Sequence, residues 1–446
     1  MVGDARRRVL VVFETQWDRK QLEACRGAWE DRAEIRTAEP RDADCPWDFD
    51  ILGFIDRAAA RELGRIDAVL SSSDYPGATT AAAIATRLGL PGSRPERVIA
   101  ASHKYYSRIA QRRAVPEAVP RFALVDPEQP QAELPIPFPC FVKPVKGSFS
   151  VLARRIESPA ALAAFLAAPA LKEFTGEYLH LFGRLVRGLT SLELDGRYFI
   201  AEELLGGHAV TVEGFACDGE VEILGIVDSG LDPRTRSFVR FDYPSALPEA
   251  VQVRMAGVAR RTIRELELER TLWNVEMTWD PETDRVAIIE VNPRICGQFG
   301  DLYQKVDGAN SYEVALALAL GERPRPRHRE GRFAAAASFP LRVFEPSRVL
   351  AAPSAAEIAA AEAAFPGALV WSECAVGEEL ADFEQGEDGA SHRYAVVNLG
   401  GASREDLDAR LAALRARLGY RIRPRAAARP APGGAGTLGG DPEKPT

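Results

Sequence analysis

The chain has little of what would place it in a class at sight. Its 446 residues include six cysteines (Cys25, Cys45, Cys140, Cys217, Cys296 and Cys374), and no two of them form a CxxC pair. That scatter excludes a disulfide framework or a cysteine zinc site and favours reduced thiols in a cytosolic protein. No apolar run reaches the ~20 residues that span a bilayer. The start, "RRRVLVVFE", has an apolar run of only five residues and leads into "ETQWDRK". It reads as a first strand, not a secretory signal, so a soluble cytoplasmic protein without a membrane partner is expected. Basic charge is also lacking: the net charge is −8 and the pI is near 5.5. A nucleic-acid partner held by overall charge is therefore not expected. Internal repeats are absent. The first strand lacks a glycine-rich turn after it, so no separate nucleotide site is expected there.

What is present is a large core. Hydrophobic residues make up 46% of the chain, and a prior of ~150 residues per domain suggests about three domains. Strand and helix alternate through residues 1–97, in "RRRVLVVFE", "DRKQLEACRGAWEDR" and "DAVLSSSDYPGATTAAAIATRLGLPG", which predicts a Rossmann-like parallel α/β domain. Residues 98–325 follow, with a small lobe over about 115–205 and a larger one over about 206–325. After the polar linker "GERPRPRHREGR", residues 333–423 read as a small C-terminal α+β unit. Residues 424–446 are Pro, Gly and Ala with almost nothing to bury, and disorder is expected. The fold class is thus α/β with α+β parts.

One hairpin carries chemistry: "LWNVEMTWDPETDRVAIIEVNPR". The turn signal "DPETD" separates two apolar runs. With the turn centred on Thr283, antiparallel pairing sets Thr278 opposite Ile288 and Glu276 opposite Glu290. Glu290 and Asn292 then share one face, while Ile289 and Val291 point into the core. Two carboxylates directly opposite each other repel, and burial makes this worse. A one-residue slip would relieve the clash but turn one apolar set outward. A hard divalent cation resolves it: two carboxylates and an amide oxygen suit Mg²⁺. Arg294, just beyond, could neutralise a phosphate or a developing oxyanion. A solvated face, with Arg294 pairing one acid, is the competing reading.

With this hairpin in view the sequence resembles the ATP-grasp superfamily, over about residues 69–321. The resemblance rests on Glu276, Glu290, Asn292, Pro293, Arg294 and Gly297, and on further motifs in the family's order. "SHKYYSR" resembles the opening nucleotide lysine, Lys104. "FPCFVKPVKGSFS" resembles the strand of the second, Lys143, followed by a small-residue loop whose Ser148 and Ser150 would contact phosphates. "FIAEELLGGHAVTVEGF" resembles the adenine hinge, implying main-chain recognition by Glu203 and Leu205, Glu202 nearby, and Glu213 as an acid facing the phosphates. There are departures. Ala209 stands where many members hold the ribose with a glutamate, leaving His208 as a substitute. "ICGQFGD" replaces a glycine run, and Gly297 and Gln298 would shape a substrate pocket. Arg240, in the loop before the hairpin, is a further substrate candidate.

The resemblance implies an ATP-grasp fold, with ATP and Mg²⁺ as cofactors, one ion or two, and Mn²⁺ as a substitute. Within the superfamily the chain looks most like carboxylate–amine ligases such as the L-amino-acid ligases. A carboxylate and an amine, amino acids in type, would be joined through an acyl phosphate with release of ADP and phosphate. A homodimer is compatible with this. Two alternatives stay open: a biotin-carboxylase-like enzyme and a non-catalytic nucleotide-binding module.

Overall fold

The first apolar run forms β1 (Arg7–Val11), flanked by β2 (Ala33–Thr37) and β3 (Ala68–Leu70), all parallel, in the order β2-β1-β3. Its continuous hydrophobicity follows from burial on both faces. Val9 and Val11 pack with Leu22 and with the helix Ser311–Ala319. Leu10 and Val12 pack with the helices Ile51–Glu62, Gly77–Leu88 and His180–Leu189. This computed structural model describes residues 6–129, 133–147, 151–169, 171, 176–381 and 390–425. The tail expected to be disordered lies outside them from residue 426 on, and so do Ser148 and Ser150.

The helix Lys104–Ala114 leads into a four-stranded antiparallel sheet of β4 (Phe122–Val125), β5 (Cys140–Pro144), β6 (Arg154–Ile156) and β7 (Phe199–Glu203), ordered β4-β7-β5-β6. One face of that sheet closes over Leu162, Phe165 and Leu166 of the helix Pro159–Leu166.

The larger sheet begins with β8 (His208–Cys217), β9 (Glu220–Leu231) and β10 (Phe238–Tyr243), and continues with the hairpin β11 (Thr271–Asp280) and β12 (Arg285–Asn292). The C-terminal segment adds β13 (Ala335–Val343), β14 (Ser347–Ala351), β15 (Leu369–Ser372), β16 (Glu379–Leu380), β17 (His392–Gly401) and β18 (Arg421–Pro424). Eight strands form one sheet, β12-β11-β8-β9-β10-β13-β17-β15. The segment read as a separate C-terminal unit therefore shares a sheet with the hairpin: β13 pairs with β10, Phe241 opposite Ser338. Its apolar alternation showed strands but could not show their neighbours. Of the described C-terminal strands, β16, β14 and β18 form a separate sheet, ordered β16-β14-β18. The helix Glu249–Glu265 lays Val251, Met255, Val258, Ala259 and Ile263 on the large sheet, where they meet Trp273, Val275, Met277, Ile288 and Val291. Among the described residues no helix is long and apolar enough to cross a membrane.

Candidate active site

The hairpin pairs Glu276 with Glu290, as expected, but reaches that register by an unforeseen route. From the turn the ladder runs Asp280–Arg285, Trp279–Val286, Thr278–Ala287 and Met277–Ile288, one residue out of step with the expected pairing. The register then shifts, and Glu276–Glu290, Val275–Val291 and Asn274–Asn292 follow. Ile289 is the extra residue of a β-bulge, unpaired on β11. The bulge settles a conflict of faces. Val286 and Ile288 are core residues, so strict alternation would bury Glu290 beside them. With one residue inserted, Val291 turns into the core instead and Glu290 turns out toward Glu276. Ile289, expected in the core, is half-buried. Across the sheet the same face carries Thr211 beside Glu276 and Glu213 beside Asn274.

Cations converge on this face from the smaller lobe. The helix bearing Lys104 is docked on the end of β5: the Lys104 amide donates to the Val145 carbonyl (2.8 Å) and its Nζ to that of Gly147 (3.0 Å). Nζ also lies 3.0 Å from Glu290 Oε2. Lys143 Nζ pairs with Glu202 Oε2 (2.9 Å) and donates to the Ile289 carbonyl (3.2 Å). Arg108, one helical turn after Lys104, donates to Glu202 Oε1 (2.5 Å) and to the same Ile289 carbonyl (2.7 Å). Burial alone would raise the Glu202 carboxyl, but Arg108 and Lys143 outweigh it and hold it down at about 2.

The third wall comes from the N-terminal domain. Asp74, in the loop after β3, receives Lys146 Nζ at 2.7 Å and lies 3.5 Å from Arg294 Nε. Lys146 is almost fully buried, which pulls its pKa below the usual lysine value against the pull of Asp74. Sequence reasoning missed both residues. They come from different domains and share no local pattern; the one available signal was the second lysine in "VKPVKGS".

Glu276 is the strained member. Burial pushes its carboxyl up to about 7, Glu290 adds to the rise, and Arg294, Lys104 and Lys143 oppose it. Asn292 Nδ2 donates to Asn274 Oδ1 (3.0 Å) and Glu276 Oε1 (3.2 Å), which leaves its amide oxygen, an acceptor, available as a metal ligand. Two facing carboxylates, one held up by the other, together with that oxygen fit a hard divalent cation. A different cluster, Cys217, Asp218 and Glu269, sits at the β8–β9 turn. Its carboxylates are engaged: Glu269 by the Asp218 and Gly219 amides (2.6 and 3.1 Å), and Asp218 by Arg270 (2.5 Å).

Other candidate residues are placed differently. Glu213 points its carboxylate at the Tyr303 hydroxyl (2.7 Å) and the Cys296 amide (3.2 Å), so it braces the turn after Arg294; burial pushes it up to about 7. Glu203 donates its amide to the Arg121 carbonyl (3.0 Å), and its side chain takes Arg285 (2.7 Å) and Arg121 (3.0 Å) at the rim, where Leu205 is half-buried. Two corrections concern side chains that turn away. His208 lies on the opposite face from Thr211 and stacks on Trp279 at 5.8 Å. Arg240 is held by Asp242 (2.7 Å) and Asp408 (2.5 Å) beside the C-terminal helix Arg404–Leu418. The "CGQFGD" turn is a packing junction, not a pocket wall. A Cβ on Gly297 would lie 2.4 Å from Trp17 Cβ, and one on Gly300 2.7 Å from Asn310 Oδ1. Gln298 donates to Ser338 Oγ (2.8 Å).

Comparison with known proteins bears on the fold. A family profile described as an ATP-grasp domain matches residues 136–301. The carbamoyl phosphate synthase large chain of Thermus thermophilus is 28% identical over 142 residues, which are 31% of this chain and 14% of that protein. This chain therefore aligns with only a small part of that relative. Among solved structures, an L-amino acid ligase from Bacillus licheniformis superposes with a TM-score of 0.69 at 15% identity, covering 95% of this chain and 100% of that one. A biotin carboxylase from Campylobacter jejuni gives 0.64 at 14% identity, over 93% and 92%. A phosphoribosylglycinamide synthetase from Anaerococcus prevotii gives 0.61 at 15% identity, over 94% and 100%.

Proposed function

This chain carries the ATP-grasp fold, and on that premise we propose that it is an ATP-dependent carboxylate–amine ligase that forms an amide through an acyl phosphate. The observation that carries the reading is the single face on which Glu276, Glu290 and Asn292 meet Lys104, Lys143, Lys146 and Arg294, drawn from three parts of the chain. The substrates are a small carboxylic acid and a small amine, amino acids being the simplest pair.

A divalent cation, held by Glu276, Glu290 and the Asn292 oxygen, would neutralise phosphate charge. The chain's own groups do the rest. Lys104 and Lys143 face the same space and offset the negative charge of the ATP phosphates as the substrate carboxylate attacks the γ-phosphorus. ADP leaves and a mixed carboxylic–phosphoric anhydride remains. The amine then attacks its carbonyl carbon, and Arg294 would hold the oxyanion. The tetrahedral species collapses to the amide, inorganic phosphate departs and the amine loses a proton. Water must be kept out of the cleft, since it would hydrolyse the anhydride. Glu203 and Leu205 at the end of β7 are suited to reading the adenine edge, and Glu202 holds Lys143 in place. An enzyme that consumes ATP and carries six free thiols suits the reducing cytoplasm.

The test is Glu290→Gln in the full chain. Mg²⁺-dependent ATP turnover falls by at least ~10³-fold while the circular dichroism spectrum is retained, because the facing carboxylate and the partner of Lys104 are both lost. Near-parent turnover would remove the assignment.

A further inference from the structure

We infer that Arg108 is a positioning residue that sets the register of the cation-facing strand. The inference rests on the ATP-dependent reading above and goes beyond it, because the partners of Arg108 are none of the side chains that would hold the cation.

Three observations carry it. The Arg108 side chain is 2% exposed, among the most deeply buried large groups of the chain. Its guanidinium serves three acceptors on three elements: Glu202 Oε1 on β7 (2.5 Å), Gln111 Oε1 on its own helix (2.5 Å) and the Ile289 carbonyl on β12 (2.7 Å). Gln111 is itself held by Ser107 Oγ (2.9 Å). Ile289 is the bulged residue of β12, which is the edge strand of its sheet, so no further strand lies beyond it to pair with its outward groups. An unsatisfied buried carbonyl costs ~1–3 kcal/mol. Arg108 and Lys143 supply the donors that the neighbouring strand cannot.

The consequence reaches Glu290. The bulge alone allows Val286, Ile288 and Val291 to share the core face while Glu290 faces Glu276. A strand without it would bury Glu290 or expose Val291. Arg108 therefore acts on the cation ligands through the backbone at Ile289, and on Lys143 through Glu202. Lysine cannot replace it, since a single ammonium does not span a three-way fork. The residue belongs to "SHKYYSR", four positions after Lys104, so one helix face presents both.

The test uses the full chain and a non-hydrolysable ATP analogue, titrated by calorimetry with and without Mg²⁺. Arg108→Lys keeps the charge beside Glu202 but loses the fork. The expected result is a loss of about 10-fold or more in the Mg²⁺-dependent part of the affinity, as for partners that orient metal ligands, with metal-free affinity within ~3-fold of the parent. If that variant does not fold, R108M/E202Q removes the buried charge together with its partner, and the same loss is expected relative to E202Q alone. Unchanged Mg²⁺ dependence, or equal losses with and without Mg²⁺, overturns the inference. A parent chain that binds no Mg²⁺–nucleotide overturns the ATP-dependent reading itself, an outcome visible before any variant is made.

Discussion

Glu276→Gln should make the protein more stable and inactive at once. The carboxyl of Glu276 is pushed from its ordinary 4.5 up to about 7 by burial and by Glu290 opposite, so at pH 8 the folded chain holds a charge it disfavours. That rise corresponds to about 3 kcal/mol, an upper figure because the side chain is partly exposed. The sign follows from linkage. An acid whose folded pKa is raised contributes stability that is present below 4.5 and lost as pH rises through about 7. Glutamine has no such loss. The difference in melting temperature between variant and parent is therefore small at pH 5 and grows to about 3 °C at most by pH 8. Taking that difference cancels the contributions of Glu213 and Lys305, which also titrate in this range. Differential scanning fluorimetry from pH 5 to 9 measures it. Adding Mg²⁺ at pH 8 should raise the melting temperature of the parent and leave the variant unmoved. A variant that melts at or below the parent at pH 8, or whose advantage is the same at pH 5, refutes the claim that the paired carboxylates are strained for a cation.

Two further outcomes test the placement of residues around the site. Gly297→Ala should cost about 1–3 kcal/mol in urea unfolding, because its new methyl meets Trp17 where the N-terminal domain docks; equal stability would contradict that contact. His208→Ala should leave KM for ATP within about 2-fold of the parent and stability within ~0.5 kcal/mol, since the exposed ring stacks on half-buried Trp279. A tenfold rise in KM would return His208 to the ribose.

The parts of the site legible in the sequence are those with a local signature. Strand periodicity and the "DPETD" turn put Glu276 across from Glu290, while "SHK" and "VKP", read through the family resemblance, mark Lys104, which meets Glu290, and Lys143, which meets Glu202. The bulge was not legible. It is stabilised by Arg108 and Lys143, from elements far away in the sequence, and a turn-centred register has no means to include them. Asp74 and Lys146 were missed for the same reason, as their pairing exists only once two domains meet. Gly297 and Gly300 misled because a glycine needed for close packing looks, in sequence, like one that opens the backbone to a ligand. The C-terminal strands read correctly as strands, yet their place in the large sheet depends on β10, about a hundred residues earlier.

The central claim is the acyl phosphate. The most direct measurement is to supply the full chain with ATP, Mg²⁺ and mixed amino acids, identify the nucleotide and phosphate products, and weigh any new amide by mass spectrometry. The expected products are ADP and inorganic phosphate, formed together with a new amide and dependent on the amine. AMP with pyrophosphate, or ADP release that depends on bicarbonate and biotin and not on an amine, would contradict it.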